Sequence, residues 1–438
     1  MRTPEAPARV ARAESLDQEG RGVARVDGKA IFISGALPGE LVEYSPYQRK
    51  PTYELAQAVR VLEPSPARVD PRCVHFGVCG GCSHQHMEPR AQVAAKQRVL
   101  EDALARIGRV QPQQWLAPIH GPDWEYRHRA RLSVRYVHKK ARLLLGFHER
   151  RSSFVADMHA CEVLPARISA LIEPLRQLID GLSIRERVPQ VEVAVGDAVD
   201  VLVLRILEPL APADEGRLRE FADRHGICFF LQRRGPDSAE PFHPPAAPAL
   251  RYRLPDFDLA VGFSPTDFTQ VNHEVNRVLV RRAVALLDPR PGERVADMFC
   301  GLGNFSLAIA RRGARVLGIE GNARLTARAR DNAVLNGLGA LCEFAEADLF
   351  SFAAADWNRI APFDGVLIDP PRDGAVELVK SLAGAPPARI VYVSCSPATL
   401  ARDAAVLVHV HGYRLASAGV VNMFPHTSHV ESMALFER

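Results

Sequence analysis

From about residue 262 to the C-terminus, short apolar runs alternate with segments whose apolar residues recur at helical spacing. The apolar runs are Arg294–Cys300, Arg315–Glu320, Cys342–Glu346, Gly365–Asp369 and Arg389–Ser394. This alternation predicts a doubly wound α/β fold, with helices on both faces of a parallel sheet. Ligands of such sheets bind beyond the carboxyl ends of the strands, so functional residues are expected there.

The 438 residues exceed what one hydrophobic core supports, so further domains are expected before the α/β domain of residues 262–438. Residues 1–62 contain short strand-like runs separated by Gly and Pro turns, which predict a small β-barrel. Residues 63–261 show mixed helix and strand signals and predict a central α+β domain. Within it, Arg90–Ile107 should form a helix that is able to pack on the α/β domain.

The composition argues against several classes of protein. No apolar stretch reaches the roughly 18 residues of a membrane span and the N-terminus lacks an apolar signal core, so a cytoplasmic protein is expected. Thiols stay reduced in that compartment, so the eight cysteines should be ligands, nucleophiles or core residues rather than disulfides. The sequence gives no indication of a DNA, membrane or obligate protein partner.

A basic segment, residues 126–151, holds nine Lys or Arg residues and a single acid, with aromatic residues between them. Such a mixture suits the phosphates and unstacked bases of RNA. Its arginines Arg127, Arg129, Arg131 and Arg135 alternate at strand spacing and should project from one basic face. A solvated face without a specific partner is an equally good interpretation of this segment alone.

A glycine turn follows the first strand of the α/β domain and includes Phe299, Gly301 and Asn304. Glycines there let the backbone approach a ligand, although the third glycine of the dinucleotide fingerprint is missing. Glu320 ends the second strand, where a carboxylate accepts hydrogen bonds from ribose hydroxyls, and Asp348 follows the third strand. Each acid alone is more typical of a helix cap or a solvated loop, but together they favour an adenosine-containing ligand.

Two further strand ends carry more selective signals. Asp369 follows the fourth strand in a loop that two prolines stiffen, and Cys395 follows the fifth. Ser396 and Pro397 suit an N-cap and a first helical position. A positive helix end beside the sulfur should lower the pKa of the thiol and favour a nucleophile, whereas a small core cysteine is the alternative.

Five ordered motifs resemble the RNA uracil-C5 methyltransferase family, and the resemblance covers essentially the whole chain. They are Phe268-Thr-Gln-Val-Asn272, Phe299-Cys-Gly-Leu-Gly-Asn304, Asp369-Pro-Pro-Arg372, Ser394-Cys-Ser-Pro397 and Phe424-Pro-His-Thr-Ser-His-Val-Glu431. The resemblance implies a Rossmann-like domain that uses S-adenosylmethionine to methylate carbon 5 of uracil. The N-terminal barrel then resembles an OB-like TRAM domain, which binds RNA. Barrel and cysteines together are most similar to the enzymes of the family that act on 23S rRNA or its precursor.

The resemblance also implies roles for individual residues. Cys395 would be the nucleophile that attacks carbon 6 of uracil, and Glu431 would be the base that removes the proton from carbon 5. The expected cofactor-binding residues are Gln270, Phe299, Gly301, Asn304, Glu320, Asp348 and Asp369. Phe268 and the four arginines of the basic segment are the expected RNA contacts.

Four cysteines form a candidate metal site. Cys73, Cys79 and Cys82 are closely spaced around two glycines, and Cys161 lies far along the chain. Four thiolates suit either an iron–sulfur cluster or tetrahedral zinc, and the spacing leaves both open. The resemblance implies a [4Fe-4S] cluster. Because uracil methylation needs no electron transfer, this cluster is expected to hold the RNA-binding region in shape.

Other functions fit less of the chain or fit it less specifically. The same chemistry on a tRNA or on another rRNA uridine is the nearest alternative. A catalytically inactive iron–sulfur RNA-binding protein would not require Cys395, Asp369 and Glu431, all of which are present. An amino-methyltransferase would need no thiol and would carry an aromatic residue in place of Arg372.

Overall fold

The computed structural model describes residues 9–438, so residues 1–8 of the predicted barrel 1–62 lie outside the described residues. Six strands form the N-terminal sheet: β1 Arg9–Arg12, β2 Ser15–Leu16, β3 Gly22–Val26, β4 Lys29–Ser34, β5 Leu41–Arg49 and β6 Tyr53–Glu63. Their spatial order is β1-β5-β6-β4-β3-β2. The two edge strands, β1 and β2, are consecutive in the chain, and the core of the sheet includes Ile31, Val42 and Tyr44.

A buried ion pair joins this sheet to the segment that follows it. The carboxylate of Glu40 is fully buried and accepts hydrogen bonds from Arg68 at both oxygens, at 2.5 and 2.7 Å. The backbone N–H groups of Leu37 and Ser65 donate to the same oxygens at 2.8 and 3.1 Å. Burial alone would raise the pKa of Glu40, but these donors, above all Arg68, hold it below its ordinary value.

The predicted helix of residues 90–107 is present but changes type before its end. Glu88 is the N-cap residue of helix α1, Pro89–Ala103. Its side chain accepts a backbone hydrogen bond from the first turn at 2.9 Å. Beyond it the chain continues as a π-helical turn, Leu104–Gly108. Leu100 of α1 is fully buried in a core that it shares with the C-terminal α/β part.

A second six-stranded sheet occupies the middle of the chain. After the short strand β7 Gln114–Trp115, the elements are β8 Arg129–Val137, β9 Arg142–Gly146, α2 Ala166–Ser169, α3 Ile172–Asp180, β10 Gln190–Val195, β11 Asp200–Arg205, α4 Pro212–His225, β12 Cys228–Gln232 and β13 Ala239–His243. The strand order is β13-β12-β11-β10-β8-β9, with β11 and β12 parallel and the other pairs antiparallel. Leu175 of α3 and Leu218 of α4 are buried in the core of this sheet.

The C-terminal part contains the remaining strands and helices. They are β14 Arg251–Leu254, β15 Leu259–Gly262, α5 His273–Leu287, β16 Arg294–Met298, α6 Ser306–Ala310, β17 Arg315–Glu320, α7 Ala323–Leu335, β18 Cys342–Glu346, α8 Ala354–Ile360, β19 Gly365–Ile368, α9 Val376–Ser381, β20 Arg389–Ser394, α10 Pro397–Ala405, β21 Arg414–Val421 and β22 Glu431–Glu437. Eight strands form one sheet in the order β18-β17-β16-β19-β20-β22-β21-β7. The hairpin β14–β15 stands apart from it.

The predicted doubly wound α/β fold is confirmed, with one addition. Strands β16 to β20 are parallel, and the strand order reverses between β16 and β19, where such folds form their ligand crevice. Helices α5 to α7 cover one face, and α1 with α8 to α10 covers the other. The last strand, β22, enters antiparallel between β20 and β21, a direction that the apolar pattern did not predict. The domain boundaries near residues 62 and 261 stay predictions.

No helix of residues 9–438 is both long enough and apolar enough to cross a bilayer.

Candidate active site

A cavity of about 680 Å³ opens at the carboxyl ends of the parallel strands. Every residue predicted for catalysis or cofactor binding lines it: Gln270, Phe299, Gly301, Asn304, Glu320, Asp348, Asp369, Cys395 and Glu431. Phe268 and Arg127, from the predicted RNA-binding set, line it as well. The structure therefore brings residues from five separate motifs to one place, and their individual roles stay predictions.

Cys395 and Glu431 lie at the ends of two neighbouring strands. Strands β20 and β22 pair antiparallel, and their last pair is Ser394 with Ser432. Cys395 directly follows the end of β20, and Glu431 is the first residue of β22. Both line the cavity, and the charge of Glu431 acts on the thiol of Cys395. The thiol and the carboxylate are therefore neighbours at the cavity.

Burial changes the proton affinity of the carboxyl groups in this cluster. It raises the pKa of Glu431 to about 7, and the positive charge of Arg372 opposes that rise. Burial, followed by the charge of Glu431, raises the pKa of Asp369 to about 8. Buried carboxylates that share a site resist ionising together, so protons are retained into the neutral range. Groups of this kind exchange protons near the pH of the cell, which is typical of catalytic residues.

The expected lowering of the pKa of Cys395 is wrong. Ser396 does cap α10, as predicted, so the sulfur lies beside a helix N-terminus. However, burial, followed by the charges of Glu431 and Asp369, raises the pKa of the thiol to about 11. Arg372 opposes this rise without reversing it. The resting thiol is therefore protonated, and its activation depends on a proton acceptor.

Arg372 and His429 form a pair in the cavity wall that was not singled out from the sequence. Nη2 of Arg372 donates to Nδ1 of His429 at 2.7 Å. Burial, followed by the charge of Arg372, lowers the pKa of His429 to about 4, so the ring accepts this hydrogen bond as a neutral imidazole. Both residues belong to motifs that carry the family resemblance. Their membership of those motifs is the sequence signal that could have identified them as site residues.

The glycine turn after β16 runs through left-handed backbone conformations. The φ angle is 65° at Phe299, 53° at Gly301 and 86° at Gly303. A phenylalanine rarely adopts such an angle, so the surrounding structure must hold it there. Glu320 contributes, because its Oε2 accepts a hydrogen bond from the N–H of Gly301 at 3.1 Å. The predicted ribose-binding carboxylate is thus also a support of the turn.

Asn304 and Asp348 reach the cavity with side chains that already have partners. The amide of Asn304 exchanges two hydrogen bonds of 3.0 Å with Asn276 and accepts another from the Tyr252 hydroxyl at 2.9 Å. Asp348 accepts from the Ser351 hydroxyl at 2.8 Å, which is the main cause of its lowered pKa. Asn304 thus ties the glycine turn to α5 and β14, whereas Asp348 supports its own turn. A role for Asp348 in cofactor binding stays a prediction.

Gln270 and Phe268 come from the segment before α5. Gln270 is half-buried in the cavity wall, whereas Phe268 is 71 % exposed. Between β15 and these residues, Asp267 is buried and accepts from the N–H of Ser264 at 2.7 Å, which fixes the approach of the segment. An exposed ring beside a cavity suits stacking against a base.

The four predicted RNA-binding arginines do not share one free face. Arg127 precedes β8 and lines the cavity. Arg129, Arg131 and Arg135 alternate along β8 as predicted, but Glu192 of β10 lies 3.8 and 3.1 Å from the guanidinium groups of Arg129 and Arg131. The side chain of Arg129 is only 16 % exposed. Glu192 therefore supplies a buried counter-charge on this side of β8, and contact between these arginines and RNA stays a prediction.

The four clustered cysteines lie beside the cavity. Cys79 and Cys161 are buried, Cys73 and Cys82 are half-buried, and all are free thiols. Burial, with a smaller contribution from neighbouring thiols, raises the pKa of Cys82 to about 11 and that of Cys161 to about 12. The N–H of Gly81, a residue that lines the cavity, donates to Sγ of Cys79 at 3.4 Å.

The arrangement of possible metal ligands is loose in the described part of the chain. Among residues 9–438, no three His, Cys, Asp or Glu side chains are gathered as a group that could hold a metal ion. The thiols are thus near enough to affect one another's pKa values without converging on a single point.

Comparisons with known proteins agree with this geometry. The profile of a family described as tRNA (Uracil-5-)-methyltransferase matches residues 253–438. A crystal structure of the Pyrococcus abyssi tRNA (uracil-54, C5)-methyltransferase in complex with S-adenosyl-L-homocysteine superposes with a TM-score of 0.75. It is 26% identical and covers 98% of this chain and 100% of its own.

Similarity to curated relatives extends over almost the whole chain. The 23S rRNA (uracil(1939)-C(5))-methyltransferase RlmD of Nitrosospira multiformis is 62% identical over 427 residues, which are 97% of each protein. The enzyme of the same name from Dechloromonas aromatica is 59% identical over 98% of this chain and 99% of its own. The chain therefore belongs to the RlmD family of RNA uracil-C5 methyltransferases.

Proposed function

We propose that the protein transfers a methyl group from S-adenosylmethionine to carbon 5 of a uridine in 23S rRNA. The observation that carries this proposal is that Cys395 and Glu431 line the same cavity at the strand ends, close enough for the charge of Glu431 to raise the pKa of the thiol. A thiol and a carboxylate placed together are the groups that covalent activation of uracil requires. The relatives that are about 60% identical are named for this reaction at uridine 1939 of 23S rRNA.

The cavity fits S-adenosylmethionine in its shape and in its donors. A Cβ atom on Gly301 would meet no protein atom within 4 Å, so the space beside the turn is open to a ligand. Gly301 and Phe299 would border the adenosine, Glu320 would accept from its ribose hydroxyls, and Gln270 would hold the amino-acid end. When bound, S-adenosylmethionine supplies an electrophilic methyl group on a sulfonium.

The proposed reaction begins at Cys395. Its sulfur bonds to carbon 6 of the uracil, and the thiol proton passes to the ionised form of Asp369 or Glu431 and from there to solvent, so that Glu431 is ionised again before the later step. Their raised pKa values, about 8 and about 7, make them suitable acceptors near neutral pH. The electron pair of the C5–C6 bond moves toward carbon 5, which thereby becomes nucleophilic enough to take the methyl group.

The second half of the reaction depends on Glu431. Its ionised carboxylate removes the remaining proton from carbon 5, the C5–C6 double bond forms again, and the bond between carbon 6 and Sγ of Cys395 breaks. The thiolate is then protonated, and 5-methyluridine is released. A base whose pKa lies near 7 is half-ionised at neutral pH and serves this step well.

The RNA must present an unstacked uridine to the cavity. A base inside a duplex cannot reach Cys395, so we propose that the enzyme flips the target out of single-stranded or locally open RNA. Phe268 would stack on a base, and Arg127 would contact a phosphate. We propose that the six-stranded N-terminal sheet is a TRAM-type RNA-binding barrel. The proposed domains of the chain are residues 1–62, 63–261 and 262–438. An enzyme of rRNA acts where rRNA is made, so a cytoplasmic location follows from this function.

We also propose that Cys73, Cys79, Cys82 and Cys161 hold a [4Fe-4S] cluster. Two buried and two half-buried thiols, one with a backbone N–H donor, are the donor set of such clusters. Protein prepared without oxygen should contain about four iron atoms and about four sulfides per chain. Zinc without sulfide would contradict this proposal.

The function is tested by offering the protein labelled S-adenosylmethionine with 23S rRNA and tRNA from a strain that lacks it. We expect label in 23S rRNA, recovered as 5-methyluridine, and none when Cys395→Ala is used. The variant should bind RNA as the wild-type protein does, because the sulfur acts only after binding. Label on tRNA, label on a nitrogen atom, or undiminished labelling by the variant would contradict the proposal.

A further inference from the structure

The loop between β21 and β22, residues 422–430, forms one wall of the cavity and ends at Glu431. We call it the base loop. Phe424, Thr427 and His429 of this loop line the cavity, and His429 holds Arg372. The β20–β22 register fixes the backbone of Glu431, but the conformation of the base loop decides which groups surround it. The loop has few internal hydrogen bonds of its own, such as the one from the Thr427 hydroxyl to the Phe424 carbonyl at 2.9 Å.

Gln92 of α1 binds the base loop at its centre. Its Oε1 accepts from the N–H of His426 at 2.7 Å, and its Nε2 lies 3.1 Å from Nδ1 of the same residue. The same Nε2 donates to the carbonyl of Met87 at 2.8 Å, which orients the amide. Gln92 is 1 % exposed. His426 has a φ of 63°, a left-handed conformation that a non-glycine residue keeps only when its surroundings hold it.

Lys96, one turn further along α1, binds the beginning of the base loop. Its ammonium donates to Oδ1 of Asn422 at 2.7 Å and to the carbonyl of Phe424 at 2.8 Å. The residue is 2 % exposed. A buried ammonium costs free energy unless acceptors replace its water, and here the base loop supplies two of them. Loop and lysine therefore stabilise each other in one geometry.

The cysteine-rich segment and the chain before β8 hold the same loop. The N–H groups of Ser83 and His84 both donate to the carbonyl of His426, at 2.8 and 2.9 Å. The hydroxyl of Tyr126 donates to the carbonyl of Pro425 at 2.9 Å. The ring of Trp124 stacks on that of His426, with their centroids 3.8 Å apart. All of these groups precede the α/β part in the chain.

From these contacts we infer that Gln92 and Lys96 are positioning residues for the base loop and set how well the step that needs Glu431 proceeds. This inference rests on the proposed function. The two side chains touch neither uracil nor cofactor, since neither lines the cavity. They act through His426, Phe424 and Asn422. A loosened base loop leaves the thiol free to attack but misplaces the groups around the base, so elimination slows more than adduct formation.

The test compares Lys96→Met and Gln92→Leu with Gln97→Leu, a control on the same helix. Within residues 9–438, the side-chain amide of Gln97 has one hydrogen-bond partner, Glu101 of the same helix, at 3.2 Å. Each protein receives 23S rRNA and labelled S-adenosylmethionine. The quantities measured are kcat, KM for RNA, and the fraction of protein that runs as an RNA adduct on a denaturing gel. Glu431→Gln provides the reference for a stalled adduct.

For both positioning variants we expect kcat to fall about tenfold, KM to stay within about twofold, and the adduct to accumulate severalfold above the wild-type level. Gln97→Leu should match the wild type in all three quantities. A wild-type kcat, or a lowered kcat without added adduct, would overturn the inference, because loss of folding alone lowers activity without trapping RNA. Absence of any adduct with wild-type protein and with Glu431→Gln would instead refute the proposed function.

Discussion

Two buried glutamates of this protein have opposite proton affinities. Glu40 is fully buried, yet Arg68 and two backbone N–H groups saturate its oxygens, and its pKa is lowered. Glu431 is 3 % exposed, and its pKa is raised to about 7 because burial is opposed only by the charge of Arg372. Burial is common to both residues. The difference lies in their partners, and it separates a structural carboxylate from one that is available to take a proton.

The largest effect is expected when Glu431 loses its ability to act as a base. Glu431→Gln should lower turnover about 1,000-fold, within the usual range for a general base, while methyl transfer to the bound uracil continues. The product should accumulate as an RNA adduct that survives denaturing electrophoresis. Gel analysis with labelled S-adenosylmethionine measures this. Normal turnover without an adduct would remove Glu431 from the role of base.

The matched change at the other glutamate should affect stability rather than chemistry. Glu40→Gln leaves Arg68 without its counter-charge and should cost about 2 kcal/mol of folding free energy, reduced from the fully buried case because Arg68 is partly exposed. Thermal unfolding measures the loss. Turnover per folded molecule should be unchanged at a temperature where the variant is folded. A selective loss of turnover at full stability would break the distinction between the two residues.

A smaller effect should follow from removing the charge that opposes the raised pKa values. Arg372 lowers the pKa of both Cys395 and Glu431, so Arg372→Gln should raise both. Because the reactive form of Glu431 is deprotonated, the pH–rate profile should move to higher pH, with about a fivefold loss at pH 7 if its pKa rises by one unit from about 7. Arg372→Lys keeps the charge and should move the profile less. An equal loss at every pH would show that the charge is not the reason.

The smallest expected effect is a gain in stability. The folded pKa of Glu431, about 7, lies above its ordinary value of 4.5, so the folded chain binds this proton more tightly than the unfolded chain. The associated stabilisation is complete below about pH 4.5 and is lost as the pH rises through 7. Glu431→Gln removes this dependence. The Tm of the variant minus the Tm of the wild type should therefore be about 2 °C greater at pH 8 than at pH 5. An unchanged difference between pH 5 and pH 8 would indicate an ordinary, solvated carboxylate.

Much of the C-terminal fold could be predicted because its signals are local. Each parallel strand is a short apolar run, and each helix shows its own periodicity, so the order of elements can be read along the chain. The direction of β22 could not be predicted in this way, because an apolar strand looks the same in either direction. The π-helical turn after Ala103 was also missed, since helical spacing does not distinguish the two kinds of helix.

The candidate site was predictable in its members but not in its electrostatics. Strand ends identified Asp369 and Cys395, and the resemblance identified Glu431, all of which line one cavity. The pKa of the thiol was misjudged because its neighbours come from strands that are distant in sequence. The pairing of Glu192 with Arg131 was missed for the same reason: it depends on which strand lies beside β8. Local patterns show which residues reach an edge, and the fold decides what surrounds them.

The antiparallel position of β22 also determines where this enzyme can tolerate an inserted residue. Inserting one residue between Glu431 and Ser432 would turn the carboxylate to the far face of the sheet, away from the sulfur, and end the chemistry at once. Inserting a residue within 422–430 would leave thiol and carboxylate opposed and disturb only the surrounding wall. The loop can therefore change in length without separating the reactive pair, whose spacing depends on the strand register.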